Sequence, residues 1–409
     1  MLLLSSWSNS NEEMDKGMYK VLTLNNIAVE GLRHFPRERY EVASEITHPD
    51  AIILRSHNMH DMDIPETLAA VGRAGAGVNN IPVEELSGRG IPVFNAPGAN
   101  ANAVKELVIA GLLIAARNLC DAREHVKGLD EVGDALEKAV EAGKKKFVGF
   151  ELPGKTLGVI GLGAIGVEVA NAALAMGMNV VGFDPKITVR SAWQLSSGVE
   201  HAETLDELFQ HSNVITLHVP LIEETRNLVN RDRLALMPKS SVIINFARGG
   251  VVDDAAVLAA LDSGKLHAYV SDFPTAELIA NPKVVALPHL GASTAEAEEN
   301  CAIMVAENVK DYLENGNIRF SVNFPEARMP RLDAWRITVA NANVPNMVGQ
   351  VSTCLADAGL NIEDLLNKSI GGLAYTIVDV NGQVTDETMA LLRGIDGVLT
   401  LRNLGKPVT

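Results

Sequence analysis

Short apolar runs separated by mixed segments dominate the middle of the chain. From residue 155 onwards five such runs follow one another: K-T-L-G-V-I (155–160), N-V-V-G-F (179–183), V-I-T-L-H-V (214–219), S-V-I-I-N-F (241–246) and V-V-A-L (284–287). Segments with helical periodicity lie between several of them. Apolar strands that alternate with helices predict a doubly wound parallel sheet, because helices cover both faces of such a sheet.

The pattern before residue 120 predicts another α/β domain. Strands are expected at Y-K-V-L-T-L, from Tyr19, and at A-I-I-L (51–54), and short strand and helix signals alternate to about residue 100. An apolar helical stretch at 101–119 is long enough to cross between domains. A long helix from about Ser293 to Leu313 returns the chain, so the first domain is predicted to be discontinuous. We expect it at 18–115 and 296–320, with the second domain at 116–295.

A third, smaller domain is predicted after a proline-containing linker at 320–332. Its expected elements are a strand at 335–340, a helix at 345–358, a strand at 374–380 and a helix at 385–395. This pattern is of the βαββαβ type and occupies residues 333–409. Residues 1–17 are interpreted as a polar extension.

Charge and cysteine content narrow the class of protein. The chain has 51 acidic and 35 basic residues and a net charge of −16, which argues against nucleic acid or an anionic membrane as partner. An anionic substrate must therefore be held by local Arg or Lys. Cys120, Cys301 and Cys354 show no close spacing, so neither a disulfide framework nor a metal site is expected. Cysteines of this kind favour a reducing cytoplasm. No apolar run approaches a membrane span of about 20 residues, and the short run at the N-terminus lacks a signal peptide's basic flank.

A glycine motif follows the strand at 155–160. Gly161 permits the tight turn, Gly163 lets a pyrophosphate approach the backbone, and Gly166 lets helix and strand pack closely. Asp184 ends the next strand, 18 residues after Gly166, where an acid can bond the ribose hydroxyls. Strand, glycines, helix and terminal acid together predict dinucleotide binding. Asp184 favours NAD over NADP, although Lys186 lies nearby.

Two further segments end strands of the same predicted sheet. Arg248 follows the strand at 241–246, where its planar fork can hold a carboxylate and polarise an adjacent carbonyl. His289 follows the strand at 284–287, and histidine is the residue type suited to moving a hydroxyl proton near neutral pH. Glu277 could orient that imidazole. The alternatives are a surface Arg after a turn, a His that caps a helix or packs in the core, and an exposed loop acid.

At these residues the chain resembles the D-isomer-specific 2-hydroxyacid dehydrogenase family. The resemblance covers residues 19 to about 324, and the matching segments are G-L-G-A-I-G (161–166), H-V-P (218–220), N-F-A-R-G (245–249) and P-H-L-G-A-S-T (288–294). It implies hydride transfer between NAD and a D-2-hydroxy acid, with Arg248, Glu277 and His289 as the catalytic trio. The family usually has Asp-Val-Phe before Glu-Pro, whereas this chain has S-D-F-P-T-A-E (271–277). A one-residue slip therefore leaves the assignment of Glu277 open.

The resemblance also assigns residues to the cofactor, and it places Asp272 near the nicotinamide end. The cofactor set is Gly161, Gly163, Ala164, Ile165, Gly166, Asp184, His218, Val219, Pro220, Phe246, Ala247, Arg248, Asp272, His289 and Gly291.

Within the family the chain is most similar to members that oxidise 3-phospho-D-glycerate to 3-phosphohydroxypyruvate, the first step of L-serine biosynthesis. Arg55-Ser56 and the loops at 75–80 and 95–102 carry this similarity. The implied substrate residues are Arg55, Ser56, Gly75, Gly77, Val78, Asn100, Arg248 and His289. Lys144–Lys146 could contribute or be a solvated charge cluster. The alternatives are a hydroxypyruvate, glyoxylate or other D-2-hydroxyacid reductase and, in another class, a non-catalytic NADH-sensing protein.

The C-terminal residues 335–409 resemble an ACT domain, an amino-acid-sensing module. The resemblance places effector contacts at Asn343 and Asn361, between paired domains, and so implies a homodimer or homotetramer. The alternative is that Asn simply favours turns and helix ends. The family often carries His where this chain has Asn341, which leaves inhibition by serine open.

Overall fold

The computed structural model describes residues 18–407. These residues form two compact units, one made of the residues up to Ala96 and from Glu299 onwards, the other of Pro97–Glu298. The predicted polar extension, residues 1–17, lies outside the described residues. In the described part of the chain no helix is both long and apolar enough to span a membrane.

The N-terminal part of the first unit is a parallel five-stranded sheet. Its elements are β1 (Tyr19–Leu24), α1 (Val29–Leu32), β2 (Tyr40–Ala43), β3 (Ala51–Leu54), β4 (Ala70–Arg73), α2 (Val83–Gly88) and β5 (Val93–Phe94). The strands lie in the order β2-β1-β3-β4-β5, and every residue of β3 is buried. The strand order changes direction at β1 and β3, which is where open α/β sheets form a crevice at their carboxyl edge.

The second unit is a longer open sheet covered by helices. Its elements are α3 (Ala101–Arg117), α4 (Leu119–Lys127), α5 (Asp134–Gly143), β6 (Thr156–Ile160), α6 (Ala164–Ala175), β7 (Asn179–Phe183), α7 (Val189–Gln194), β8 (Val199–His201), α8 (Leu205–His211), β9 (Val214–Leu217), α9 (Arg231–Leu236), β10 (Ser241–Asn245), α10 (Asp254–Asp262), β11 (Leu266–Ser271), α11 (Ala276–Ile279) and β12 (Val284–Ala286).

All seven strands of this sheet are parallel, in the order β12-β11-β10-β9-β6-β7-β8. The doubly wound parallel sheet predicted from the five apolar runs is therefore confirmed. β8 and β11 were not predicted, because short segments that mix polar with apolar residues carry no apolar-run signal. The change of direction between β6 and β9 creates the crevice in which such folds bind nucleotides.

Helix α3 packs within the second unit. Val104, Val108 and Leu112 on its buried face share one apolar core with residues of β6, α6, β10 and β11. The sequence interpretation placed this helix in the first domain, up to residue 115. The observed division falls before α3, because the helix buries its apolar face against this sheet.

After β12 the chain enters α12 (Ala295–Asn315), which leads back into the first unit. The C-terminal elements are β13 (Trp335–Ala342), α13 (Met347–Asp357), β14 (Ile362–Ile370), β15 (Leu373–Val380), α14 (Asp386–Arg393) and β16 (Val398–Gly405). The sheet is antiparallel in the order β14-β15-β13-β16, and an apolar core lies between it and the two helices. The predicted βαββαβ order is thus observed.

Candidate active site

The glycine turn after β6 has the form that a dinucleotide pyrophosphate needs. Gly161 has φ of +92°, and a Cβ there would lie 2.5 Å from the carbonyl oxygen of His218. A Cβ at Gly166 would lie 1.9 Å from the carbonyl oxygen of Gly161, so these two positions require glycine for packing. A Cβ at Gly163 would meet no atom within 4 Å. Open space thus remains at the N-terminus of α6, where free N–H groups favour an anion.

Asp184 is fixed beside this turn. One carboxylate oxygen accepts the backbone N–H of Leu162 at 2.8 Å, and the other accepts the backbone N–H of Lys186 at 2.8 Å. A carboxylate oxygen has two lone-pair directions, so each can still accept a bond from a hydroxyl. The residues present therefore fit an adenosine ribose next to the pyrophosphate site.

His218 directly follows β9, the strand next to β6 in the sheet. Its Nε2 lies 3.0 Å from Oγ1 of Thr216. Burial lowers the pKa of the imidazole to about 3, so the ring is neutral at physiological pH. Val219 and Pro220 follow it, and Val219 lies beside Gly161. His218 therefore helps to shape the turn rather than supplying charge.

Arg248 lies on the turn after β10, with an exposed side chain. Its Nη1 donates to the carbonyl oxygen of Ala247 at 2.6 Å. Asn245 is fully buried and stabilises the turn. Its side-chain oxygen accepts the Ala247 N–H, and its side-chain nitrogen donates to the Arg248 carbonyl. The guanidinium thus stands on a fixed backbone at the carboxyl edge of the sheet.

His289 lies after β12 and is exposed, and its ring packs on Phe273 with 4.8 Å between centroids. Phe273 also adjoins the Arg248 turn, because a Cβ at Gly249 would lie 3.4 Å from the Phe273 Cβ. One aromatic side chain is therefore the common neighbour of the His289 loop and the Arg248 turn. The predicted proton-transfer and carboxylate-binding residues are brought to the same edge of the sheet.

Asp272 follows β11 and is 2% exposed; the backbone N–H groups of Leu290 and Gly291 lie close to its carboxylate, but neither oxygen has a hydrogen bond of good geometry among the described residues. Burial raises its pKa, while His289 and the backbone N–H groups of Leu290 and Gly291 act in the opposite direction. Buried polar atoms without partners are rare in proteins. The two oxygens therefore fit a group that supplies donors, as the predicted contact with the nicotinamide end would.

Glu277 is exposed in the first turn of α11. It lies near Asp254, whose pKa is raised by burial and by the charges of Asp253 and Glu277. Within residues 18–407 no hydrogen bond joins Glu277 to His289. An electrostatic interaction of His289 is instead found with the carboxylate of Asp272. The orienting role of Glu277 stays a prediction.

The predicted substrate residues of the first unit form a separate cluster after β3 and β4. The backbone N–H of Ser56 donates to Oδ1 of Asn25 at 3.1 Å, and the carbonyl of Arg55 accepts Nε of Arg73 at 3.0 Å. Gly75 has φ of +153°, and a Cβ there would lie 2.1 Å from Nη1 of Arg73. The Arg73 guanidinium therefore lies directly against Gly75, in the loop that continues to Gly77 and Val78.

Asn100 belongs to the second unit, where it precedes α3. Its Oδ1 is buried without a hydrogen-bond partner among the described residues. An unsatisfied acceptor at a helix start is compatible with a ligand that donates to it. Contact with substrate stays a prediction for Asn100 and for the cluster of the first unit.

Asn343 and Asn361 lie in turns of the C-terminal domain. Nδ2 of Asn343 donates to the carbonyl of Gly371 at 3.1 Å, and the Asn361 N–H donates to Oδ1 of Asn381 at 3.0 Å. Such hydrogen bonds are typical of Asn residues in turns. Effector contacts at these two residues stay a prediction. Asn341 is 1% exposed, and its Oδ1 has no hydrogen-bond partner in the described range.

Sequence reasoning missed Phe273, Asn245 and Tyr269 as parts of this site. Asn245 was signalled only as the first letter of N-F-A-R-G. Phe273 and Tyr269 had no signal, because β11 itself was not recognised. The residues from Gly161 to His289 that the sequence did predict follow β6, β7, β9, β10, β11 and β12, which are six consecutive strands in the sheet. No cluster of three or more metal-binding side chains is found in residues 18–407.

Comparison with known proteins agrees with this arrangement. Residues 109–291 match the family described as D-isomer specific 2-hydroxyacid dehydrogenase, NAD binding domain. The D-3-phosphoglycerate dehydrogenase of Haemophilus influenzae is 33% identical over 366 residues, 86% of this chain and 85% of that protein. The hydroxypyruvate reductase of Thermotoga maritima is 39% identical over 284 residues, 66% of this chain and 87% of that protein.

A similar solved structure is that of cofactor (NAD+) bound 3-phosphoglycerate dehydrogenase in Entamoeba histolytica. Its TM-score is 0.58 at 27% identity, and the match covers 75% of this chain and 99% of that one. The chain spans about three fifths of the length of several other curated relatives named D-3-phosphoglycerate dehydrogenase, among them that of Methanocaldococcus jannaschii.

The open sheet, the glycine turn and the Arg248 and His289 segments define a nucleotide-dependent oxidoreductase fold. The chain belongs to the D-isomer-specific 2-hydroxyacid dehydrogenase family, and its residues 109–291 are the NAD-binding domain.

Proposed function

We propose that this protein oxidises 3-phospho-D-glycerate to 3-phosphohydroxypyruvate with NAD, the first step of L-serine biosynthesis. The observation that carries the chemistry is the shared edge of the second sheet, where the glycine turn, Arg248 and His289 follow neighbouring strands. The choice of substrate is supported by the relative from Haemophilus influenzae, which is named for it and aligns over 85% of its length.

In this proposal Arg248 binds the substrate carboxylate through its planar fork and polarises the oxygen on C2. His289, in its neutral form, accepts the C2 hydroxyl proton on a ring nitrogen. NAD held at the glycine turn and by Asp184 would supply the acceptor for the C2 hydride. Asp272 stabilises the protonated imidazole, because its charge lies beside that ring. Glu277 is proposed as the residue that orients the imidazole.

The phosphate of the substrate needs further cations, since the protein carries a net charge of −16. Arg55 is proposed for this end, and Gly75, Gly77 and Val78 supply backbone N–H groups. Lys144, Lys145 and Lys146 are exposed, and Lys144 is paired with Glu141. That pairing offsets part of the positive charge of the lysine run.

We expect NADH to form from 3-phosphoglycerate with kcat/KM at least about 100-fold above that for D-glycerate or D-lactate. Groups built to bind a phosphate are left without a partner when the phosphate is missing, which costs catalytic efficiency. NADH absorbance measures the rates, with hydroxypyruvate and 3-phosphohydroxypyruvate compared in the reverse direction. A preference for the unphosphorylated pair would instead favour a hydroxypyruvate reductase, the activity named for the relative from Thermotoga maritima.

Tight NADH binding without turnover of any of these acids would favour the remaining alternative, a non-catalytic NADH-sensing protein. The retention of both Arg248 and His289 at one sheet edge supports an enzyme.

Replacement of Arg248 by Lys is expected to raise the KM for 3-phosphoglycerate and to lower kcat, reducing kcat/KM about 10- to 100-fold. The reason is that an ammonium lacks the planar fork, so a charge-assisted bond is lost. Steady-state kinetics measure the change, and NADH titration by fluorescence should show unaltered binding. Arg226→Lys, at an exposed ion pair with Glu223, is the matched control. Equal kinetics for Arg248→Lys and this control would contradict the proposed role.

We also propose that the C-terminal domain is an ACT domain that pairs between copies, giving a homodimer or homotetramer, and that it binds an amino acid at Asn343 and Asn361. The βαββαβ order and the exposed edge strand β14 support this. The dehydrogenase assay repeated with L-serine tests the effector role. A cytoplasmic location belongs to the same proposal and is supported by three cysteines that form no disulfide among the described residues.

A further inference from the structure

A buried hydrogen-bond network lies beneath the Arg248 turn. The Asn245 amide nitrogen donates to the Arg248 carbonyl oxygen at 2.9 Å and to the Tyr269 hydroxyl oxygen at 3.3 Å. Its amide oxygen accepts the backbone N–H of Ala247 at 3.1 Å. One side chain therefore fixes the Phe246–Ala247 peptide before Arg248 and the Arg248–Gly249 peptide after it, and the Tyr269 hydroxyl bonds that side chain in turn.

Tyr269 lies on β11, the strand next to β10, and is 1% exposed. The hydroxyl of Ser271 faces its hydroxyl, and burial raises the pKa of the phenol, so it is protonated at physiological pH. Oγ of Ser271 accepts the backbone N–H of Phe273 at 3.1 Å. Phe273 is the side chain on which His289 packs. The network thus runs from the Arg248 turn through Asn245, Tyr269 and Ser271 to the His289 contact.

We propose that Tyr269 is a positioning residue: its buried hydroxyl holds the Arg248 turn in register with the Asp272–Phe273 segment, so that guanidinium and imidazole meet the same substrate. This inference rests on the proposed dehydrogenase function. Tyr269 does not touch the substrate and acts only through Asn245 and Ser271. Without its hydroxyl, the second N–H of the buried Asn245 amide has no acceptor, so the amide can rotate and release Arg248.

The test is Tyr269→Phe, which removes one oxygen and keeps the ring that fills the core. We expect kcat/KM for 3-phosphoglycerate to fall about tenfold, the effect of losing one buried hydrogen bond at an organised site. NADH binding is expected to stay within about twofold of the unmodified protein. Tyr375→Phe is the matched control, because Tyr375, on β15 of the C-terminal sheet, is equally buried and its hydroxyl donates to the carbonyl of Gly316, which follows α12.

A double-mutant cycle separates positioning from general loss of stability. If Tyr269 acts through Arg248, Tyr269→Phe should have little further effect on kcat/KM in the Arg248→Lys background. Independent, additive losses would overturn the inference. Tyr375→Phe should lower kcat/KM in neither background.

A second readout does not depend on turnover. Hydrogen exchange of the Ala247 backbone N–H is expected to become about tenfold faster in Tyr269→Phe, because its acceptor is no longer held, and to be unchanged in Tyr375→Phe. If the unmodified protein oxidises no 2-hydroxy acid, the proposed function fails, and the exchange rate alone decides whether Tyr269 holds the turn. If the protein is active but neither kcat/KM nor the exchange rate changes in Tyr269→Phe, the positioning role is wrong.

Discussion

Replacement of His289 by Ala is expected to lower kcat for 3-phosphoglycerate by about 10²- to 10⁴-fold, the usual contribution of a general base. The imidazole is exposed at the carboxyl edge of the sheet and packs on Phe273. Removing it takes away the side-chain type whose ordinary pKa lies near neutral pH and therefore suits accepting this proton. The remaining site can still bind both ligands but lacks the residue that receives the hydroxyl proton.

NADH affinity should change far less than kcat in this variant. The glycine turn follows β6 and Asp184 follows β7, whereas His289 follows β12. Rapid-mixing or steady-state kinetics measure kcat, and fluorescence titration measures the dissociation constant for NADH. His201→Ala, an exposed histidine at the end of β8, is the matched control and should match the unmodified protein. A parallel loss of NADH binding and turnover in His289→Ala would count against proton transfer by this residue.

Replacement of Asp379 by Ala is expected to destabilise the protein by about 3–5 kcal/mol, as breaking a buried ion pair does. Asp379 and Arg336 are both 0% exposed and form a two-bond pair, with Nε–Oδ1 at 2.6 Å and Nη2–Oδ2 at 2.7 Å. The variant leaves a guanidinium buried without its counter-charge. Arg331 adds to the cost, since burial and the charge of Arg336 already lower its pKa to about 10.

The loss of stability in Asp379→Ala should extend beyond the C-terminal sheet. The Arg336 guanidinium also donates to the carbonyls of Asn315, Met329 and Pro330. These carbonyls belong to the end of α12 and the segment after it, so the ion pair anchors the C-terminal sheet to the main body of the first unit. Denaturant unfolding followed by circular dichroism measures the change. Asp333→Ala, at the exposed pair with Lys406, is the control. Asp379→Ala with an unchanged unfolding midpoint would refute a role in stability.

The site residues differ in whether a short stretch of sequence is enough to identify them. Gly161, Gly166 and Asp184 could be assigned from the chain alone, because a turn, a close approach and a strand end each depend on a few consecutive residues. Arg248 and His289 were predicted for the same reason: each directly follows a buried strand. The contact partner of His289 could not be predicted, since Asp272 and Phe273 follow β11, a strand whose mixed L-H-A-Y-V-S pattern does not stand out.

By itself the sequence determined the two parallel sheets, the βαββαβ tail and the glycine turn, since apolar periodicity and short motifs encode them. It also predicted which guanidinium and which imidazole serve the site. Only the tertiary structure decided that α3 packs with the second sheet, that the charges of Asp272 and His289 act on each other, and that Asn245 and Tyr269 are bonded beneath the Arg248 turn. Those facts depend on which strands become neighbours and on which polar atoms are buried together. Pairing between β10 and β11 joins residues more than twenty positions apart, and no local pattern records it.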